Sequence, residues 1–156
     1  MKYYPIAIKL GKKPVVVVGG GAVAERKVKS LLEAGARVTV ISPTLTAGLR
    51  RLAGRKAIGW RRRLIREVPR KAALVVAATS NERVNRVISW WLKKRKTLVN
   101  VVDRSELSNF ITPAVFRTRK AIVAVYTDGQ DPVLSRDLKN FLKEYWDEFL
   151  SYRDRP

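Results

Sequence analysis

Residues 15–24 read Val15-Val16-Val17-Val18-Gly19-Gly20-Gly21-Ala22-Val23-Ala24, an apolar run that leads into a G-x-G-x-x-A turn. Four consecutive valines are typical of a buried parallel strand. Gly19 permits a tight turn, Gly21 lets the backbone approach a phosphate, and Ala24 lets the following helix pack close to the strand. An ordinary glycine turn of an α/β protein is the alternative, but the second strand that follows the helix favours a dinucleotide site.

The composition of the chain excludes several kinds of chemistry. The 156 residues have room for one domain and a small appendage, and they include no Cys and no His. Disulfides, thiolate catalysis and the commonest metal ligand and general base are therefore excluded, and we predict no metal site. The sequence has neither a membrane-spanning apolar run of about 18 residues nor a signal peptide, so we expect a cytoplasmic protein without membrane attachment.

The net charge of +20 is unevenly distributed. Positions 50–71 hold ten basic residues and one acid, whereas positions 128–156 hold seven acids and five basic residues. Such an excess attracts polyanions, whether nucleic acid, a membrane surface or a small molecule with many carboxylates, although a heat-adapted, heavily solvated surface is the alternative. Nucleic acid is the less favoured partner, because the tryptophans at 60, 90 and 91 lack the repeated stacking pattern of a single-strand binder.

Hydrophobic periodicity predicts alternating strands and helices. Strands are predicted at 6–10, 15–18, 37–41, 58–60, 74–78 and 98–102, and helices at 22–34, 45–52 and 81–94. This order predicts an α/β fold, a doubly wound parallel Rossmann sheet, over residues 1–112.

The pattern changes after Asp103. Strands predicted at 110–116 and 121–126 should pair antiparallel, and Asp131-Pro132 should begin one amphipathic helix that extends to Leu150. Residues 113–156 are thus predicted to form a small α+β dimerisation segment. A hairpin and one helix are too little to bury the apolar stripe of that helix, which favours a homodimer over packing on the sheet edge of the same chain.

Ligands of an open parallel sheet bind at the carboxyl ends of its strands. Four predicted loops qualify: Gly19–Val23, Ser42–Thr44, Thr79–Asn81 and Asp103–Asn109. The second loop lacks the acid that usually binds the ribose of NAD, so the motif leaves the choice between NAD and NADP open.

Asp103 is a candidate catalytic residue. It is the first aspartate in the chain and directly follows an apolar strand. Without histidine, a carboxylate is the natural proton acceptor beside a hydride transfer. A turn or helix-capping aspartate is the alternative interpretation.

Six segments of the sequence resemble the precorrin-2 dehydrogenase family, the dehydrogenase part of siroheme synthase. They are Val17–Lys27, Leu31–Ala36, Ala77–Thr79, Asn100–Asp103, Phe110–Ala114 and Asp131–Arg136. The sequence N-V-V-D, followed by F-I-x-P and later by P-V-L-x-R, is the specific part of this resemblance.

The resemblance implies NAD-dependent oxidation of precorrin-2 to sirohydrochlorin, in siroheme biosynthesis, by a homodimer. It matches Asp103 to the catalytic aspartate of the family, and it puts Ala22 and Val23 against the pyrophosphate and Pro43 and Thr44 near the adenosine. The predicted cofactor-binding residues are Gly19, Gly21, Ala22, Val23, Ser42, Pro43, Thr44, Thr79 and Ser80.

Precorrin-2 carries eight carboxylates, which suit a basic cleft. The predicted substrate-binding residues are Arg104, Arg117, Thr127 and Arg136. Two other functions remain open: a regulatory domain that binds NAD without turnover, and a bifunctional dehydrogenase and ferrochelatase. The chelatase is disfavoured because the chain has no histidine.

Overall fold

The computed structural model describes residues 2–65, 70–102 and 104–153. The chain divides into two compact units. The larger unit is Pro5–Phe110, and the smaller unit joins residues 2–4 to the residues from Ile111 onward. Among the described residues, no helix combines the length and the apolar character that crossing a bilayer requires.

The larger unit is built on a five-stranded parallel sheet. Its strands are β1 (Pro14–Val18), β2 (Arg37–Ile41), β3 (Gly59–Arg61), β4 (Leu74–Ala77) and β5 (Leu98–Val101), and its helices are α1 (Ala22–Glu33), α2 (Ala47–Gly54) and α3 (Glu82–Lys94). The strands lie in the order β3-β2-β1-β4-β5. The chain therefore winds outward on both sides of β1, which confirms the predicted doubly wound Rossmann sheet.

Apolar side chains cover both faces of this sheet. Val15 and Val17 pack in one cluster with Val28 of α1 and Leu49 of α2. Val16, Val18, Ile88 and Leu92 belong to a second cluster, in which α3 contributes the helical side chains. Because alternate residues of a strand point to opposite faces, a strand buried on both faces needs an unbroken apolar run, and the four valines provide it.

The predicted strand at Ile6, Ile8 and Leu10 is wrong. These residues belong to no strand of the sheet, and Ile6 is 61% exposed. Both sides of β1 are occupied by β2 and β4, so an extra strand has no central edge to join. The chain turns instead, with the Lys13 amide donating to the Leu10 carbonyl at 2.8 Å and the Lys12 amide donating to the Gly35 carbonyl at 2.7 Å.

The smaller unit contains a hairpin and two helices. β6 (Ala114–Arg117) pairs antiparallel with β7 (Ile122–Val125), as predicted, and α4 (Pro132–Glu144) and α5 (Trp146–Arg153) follow. The predicted start of β6 at Phe110 is wrong by four residues. The Phe110 carbonyl accepts a hydrogen bond from the Asn100 side chain at 3.2 Å instead, and Pro113 has no amide to donate to a ladder.

The prediction of one continuous C-terminal helix is also wrong. α4 begins as expected, with the Leu134 amide donating to the Asp131 carboxylate at 2.8 Å, but it ends at Glu144. The break at Tyr145 allows the Trp146 ring to make an edge contact with the ring of Phe116 on β6, at 5.6 Å between centroids. The apolar stripe of the two helices stays exposed, with Leu134, Leu138, Phe141, Tyr145 and Phe149 each 42–54% accessible.

Candidate functional site

Gly19 joins the carboxyl ends of three strands. Its amide donates to the Ile41 carbonyl of β2 at 3.0 Å, and its φ of +117° lies in the region that favours glycine. A Cβ at this position would lie 2.7 Å from the carbonyl carbon of Ala78, directly after β4, and still closer to the carbonyl oxygen. The turn therefore lies between β1 and β4, where the order of the strands reverses and where ligands of such sheets bind.

Gly21 leaves the start of α1 open. It is the N-cap residue of the helix, and no side chain caps the helix there. A Cβ at Gly21 would meet nothing within 4 Å. An uncapped N-terminus offers backbone N–H donors and the positive end of the helix dipole, both of which suit a phosphate. The glycine turn thus fits a pyrophosphate, with Ala22 exposed and Val23 half-buried beside it.

The loop between β2 and α2 lies directly against this turn. The Thr46 amide donates to the Gly20 carbonyl at 2.9 Å, and a Cβ at Gly20 would lie 2.8 Å from the Ser42 hydroxyl and closer still to the Thr44 carbonyl. Pro43 and Thr44 are exposed beside the turn, whereas Ser42 is only 7% exposed. The structure therefore brings the first two predicted loops together, with Ser42 as their buried member.

Glu25 stabilises that loop, and the sequence analysis did not predict this role. Its carboxylate accepts a hydrogen bond from the Thr46 hydroxyl at 2.6 Å and pairs with Lys29 at 2.6 Å. The hydrogen bonds from Lys29 and from Thr46 lower the pKa of Glu25 below its usual range. Thr46 also caps α2, since its hydroxyl accepts from the Leu49 amide. A threonine directly before a helical run was the signal that could have revealed this link.

Asn85 stabilises the loop after β4 in the same way, and the sequence analysis did not predict this role either. Its side chain is 6% exposed; its carbonyl oxygen accepts from the Thr79 hydroxyl at 2.7 Å, and its amide donates to the Thr79 carbonyl at 2.9 Å. Asn81 caps α3 by accepting from the Val84 amide. Thr79 is thereby fixed at the carboxyl end of β4, with the exposed Ser80 next to it.

The fourth loop follows β5 at the same edge of the sheet. The Val102 amide donates to the Ala77 carbonyl at 2.9 Å, which carries the chain past the end of β4. The next residue, the predicted catalytic Asp103, lies outside the described residues. Arg104 pairs with Glu82 at 3.4 Å, and Arg86 and Arg104 together lower the pKa of the Glu82 carboxyl.

The other predicted substrate residues belong to the smaller unit. Arg117 is exposed at the end of β6, and Arg136 is exposed on α4 with its guanidinium 2.9 Å from Asp137. The Thr127 hydroxyl donates to the Asp131 carbonyl and lies 2.7 Å from the Ser135 hydroxyl, so it supports the start of α4. Within the described ranges, no group of three or more carboxylates could hold a metal ion.

The sheet order and the open glycine turn define a dinucleotide-binding domain of the Rossmann type. A family model of NAD(P)-binding domains matches residues 6–114. The chain is 42% identical over 146 residues to a siroheme synthase of Thioalkalivibrio sulfidiphilus and 39% identical over 140 residues to siroheme synthase 1 of Klebsiella pneumoniae. These matches cover 93% and 89% of this chain but 30% of each relative, so the chain spans about a third of the length of these curated relatives.

A solved structure described as SirC, precorrin-2 dehydrogenase, superposes with a TM-score of 0.75 at 29% identity. The match covers 91% of this chain and 70% of that one. The chain belongs to the NAD(P)-binding family, and it is similar to these siroheme synthases and to this precorrin-2 dehydrogenase. The predicted cofactor class, a nicotinamide adenine dinucleotide, is thereby confirmed.

Proposed function

We propose that this chain is a cytoplasmic NAD-dependent dehydrogenase that oxidises precorrin-2 to sirohydrochlorin in siroheme biosynthesis. The observation that carries the proposal is the open, uncapped glycine turn at the strand switch point, with the ends of β4 and β5 at the same edge. The name and the 0.75 TM-score of the SirC structure support the choice of substrate.

The proposed chemistry divides between the dinucleotide and one carboxylate. Bound NAD would supply the hydride acceptor. The substrate loses one hydride and one proton, and we assign the proton to the carboxylate of Asp103, the residue that directly follows Val102 in the sequence. Gly19, Gly21, Ala22 and Val23 would hold the pyrophosphate. Ser42–Thr44 and Thr79–Ser80 would line the rest of the dinucleotide.

Turnover of an authentic substrate tests this proposal. The purified chain is mixed with precorrin-2 and NAD, and NADH and sirohydrochlorin are followed by absorbance. We expect both products from the native chain, a loss of at least about a hundredfold in kcat for Asp103→Asn, as is usual for a lost general base, and unchanged NAD affinity. Asp147→Asn, on the exposed surface of α5, is the matched control and should keep full activity.

The alternative, a regulatory domain, predicts a different result. Such a domain would bind NAD, form no NADH with precorrin-2, and respond alike to Asp103→Asn and Asp147→Asn. That pattern would refute the enzyme proposal.

The substrate charge motivates a second measurement. Eight carboxylates should be attracted to a chain of net charge +20, and we assign part of that attraction to Arg104, Arg117 and Arg136, with Thr127 contributing a hydrogen bond from its hydroxyl. The KM for precorrin-2 should therefore rise with ionic strength while kcat changes little. An unchanged KM between low and high salt would argue against this assignment.

We also propose that residues 113–156 act as a dimerisation segment. The support is the exposed apolar stripe of α4 and α5, which includes Leu138 and Phe141, because such a stripe is costly to leave in water. Leu138→Asp should convert a dimer into a monomer in light-scattering measurements. Asn140→Asp, an exposed position on the same helix, introduces the same charge and should leave the dimer intact. A native chain that is monomeric at high concentration would contradict this assignment.

A further inference from the structure

The end of β2 carries no acid, and basic residues dominate the sequence around it. Between Glu33 and Glu67 the chain has nine Lys or Arg residues and no Asp or Glu. This interval includes β2, the following loop, α2 and β3. In Rossmann domains an acid at the end of the second strand binds the ribose hydroxyls of NAD, whereas a nearby arginine accommodates the 2′-phosphate of NADP. The local chemistry at this edge therefore suits an anion.

The pairing of β2 with β3 brings three arginines to the same edge. Ile41 is opposite Arg61 in the register, and the Ser42 amide donates to the Arg61 carbonyl at 3.2 Å. Arg62 and Arg63 follow directly, and all three arginines are exposed. β3 is the outer strand of the sheet, and no strand among the described residues covers its outer edge.

Trp60 fixes one of these arginines next to the β2 loop. The indole N–H of Trp60 donates to the Ser42 carbonyl at 3.0 Å, so its ring lies beside the first residue of the loop. The guanidinium carbon of Arg62 lies 5.8 Å from the centre of that ring. A guanidinium held against an aromatic face keeps its N–H donors available for a bidentate contact with phosphate. No ion pair of Arg62 or Arg63 occurs within the part of the chain that the structure describes.

We propose that Arg62, supported by Arg63, binds a phosphate on the 2′-hydroxyl of the adenosine ribose. The chain consequently takes NADP as well as NAD. This inference rests on the proposed dinucleotide site and adds the residues that recognise its adenosine half. Trp60 is a positioning residue, because it orients Arg62 through its ring and contacts the loop through its N–H.

A pair of nucleotide fragments isolates the 2′-phosphate. Adenosine 5′-monophosphate and adenosine 2′,5′-bisphosphate differ only in that group, and calorimetry measures their affinities for the full chain. We expect the bisphosphate to bind about tenfold more tightly or better, which is the size of one charge-assisted hydrogen bond. Arg62→Gln should reduce this advantage to less than about threefold and leave the affinity for the monophosphate unchanged.

Arg95→Gln is the matched control. Arg95 is an exposed arginine that directly follows α3, and it therefore lies toward the amino ends of the strands, away from the predicted site. It should leave both affinities as they are in the native chain.

Two results would overturn the inference: equal binding of the two nucleotides by the native chain, or an advantage that Arg62→Gln leaves unchanged. Absence of binding by either nucleotide would overturn it together with the dinucleotide site. If the fragments bind as expected but precorrin-2 is not oxidised, only the proposed function fails.

Discussion

Replacing Gly19 with alanine should destabilise the sheet itself as well as the glycine turn. The φ of this residue is +117°, and the new methyl group would lie 2.7 Å from the carbonyl carbon of Ala78. Real Cβ atoms essentially never approach closer than about 3.0 Å. The atoms that block the methyl group belong to the backbone next to β4, so no side-chain rotation can relieve the overlap.

Two contributions determine how far the free energy of unfolding should fall. A left-handed backbone conformation costs a non-glycine residue about 1–2 kcal/mol. Displacing Ala78 strains the hydrogen bond from its amide to the Val18 carbonyl, which is 2.8 Å long and has a typical net value of about 1 kcal/mol. With the remaining overlap, the free energy of unfolding should fall by about 2–4 kcal/mol. For a chain of this size, that fall lowers Tm by roughly 5–15 °C.

Thermal unfolding followed by circular dichroism measures this effect, and Gly21→Ala is the matched control. Gly21 has a φ of −83°, and a Cβ there meets nothing within 4 Å. Its replacement should cost only about 1 kcal/mol, because alanine is a poorer N-cap than glycine. NAD affinity should nevertheless fall at least about tenfold, because the methyl group occupies the space proposed for the phosphates. A Tm loss for Gly19→Ala no larger than that for Gly21→Ala would refute the reasoning.

Three further predictions concern the contacts around the site. Asn85→Ala should lower the free energy of unfolding by about 1–3 kcal/mol in urea titrations, because both of its hydrogen bonds to Thr79 are lost; an unchanged midpoint would contradict this. Asp131→Ala should cost about 1 kcal/mol through loss of the α4 cap, a loss that Asp131→Asn should largely avoid. Since the pKa of Glu25 is lowered by folding, its stabilisation is present above the unfolded value of about 4.5 and is lost as the pH falls through the folded value. Glu25→Gln should therefore shift the urea midpoint at pH 7 more than at pH 3, and equal shifts would refute this linkage.

The predictions from sequence that the structure confirms concern short stretches of chain. The valine run, the glycine turn and the helix periodicity at 22–34 each depend on residues within a few positions of one another, and α1 lies within one residue of its predicted range. The cap of α4 by Asp131 likewise depends on residues that are close together in the sequence. In contrast, the alternation at Ile6, Ile8 and Leu10 predicted a strand, but local alternation carries no information on whether the sheet has a free edge for that strand to pair with.

By itself, the sequence determined the parallel sheet, the location of the glycine turn and the lack of an acid after β2, because local geometry and residue type decide these features. Only the tertiary structure decided that Glu25 meets Thr46, that Asn85 holds Thr79 and that the Trp60 indole reaches the Ser42 carbonyl. The first and third of these contacts join residues 21 and 18 positions apart on different elements, so they exist only after the strands have paired in register. The Asn85 contact spans six positions from a helix to a loop, and it depends on how α3 packs against the sheet.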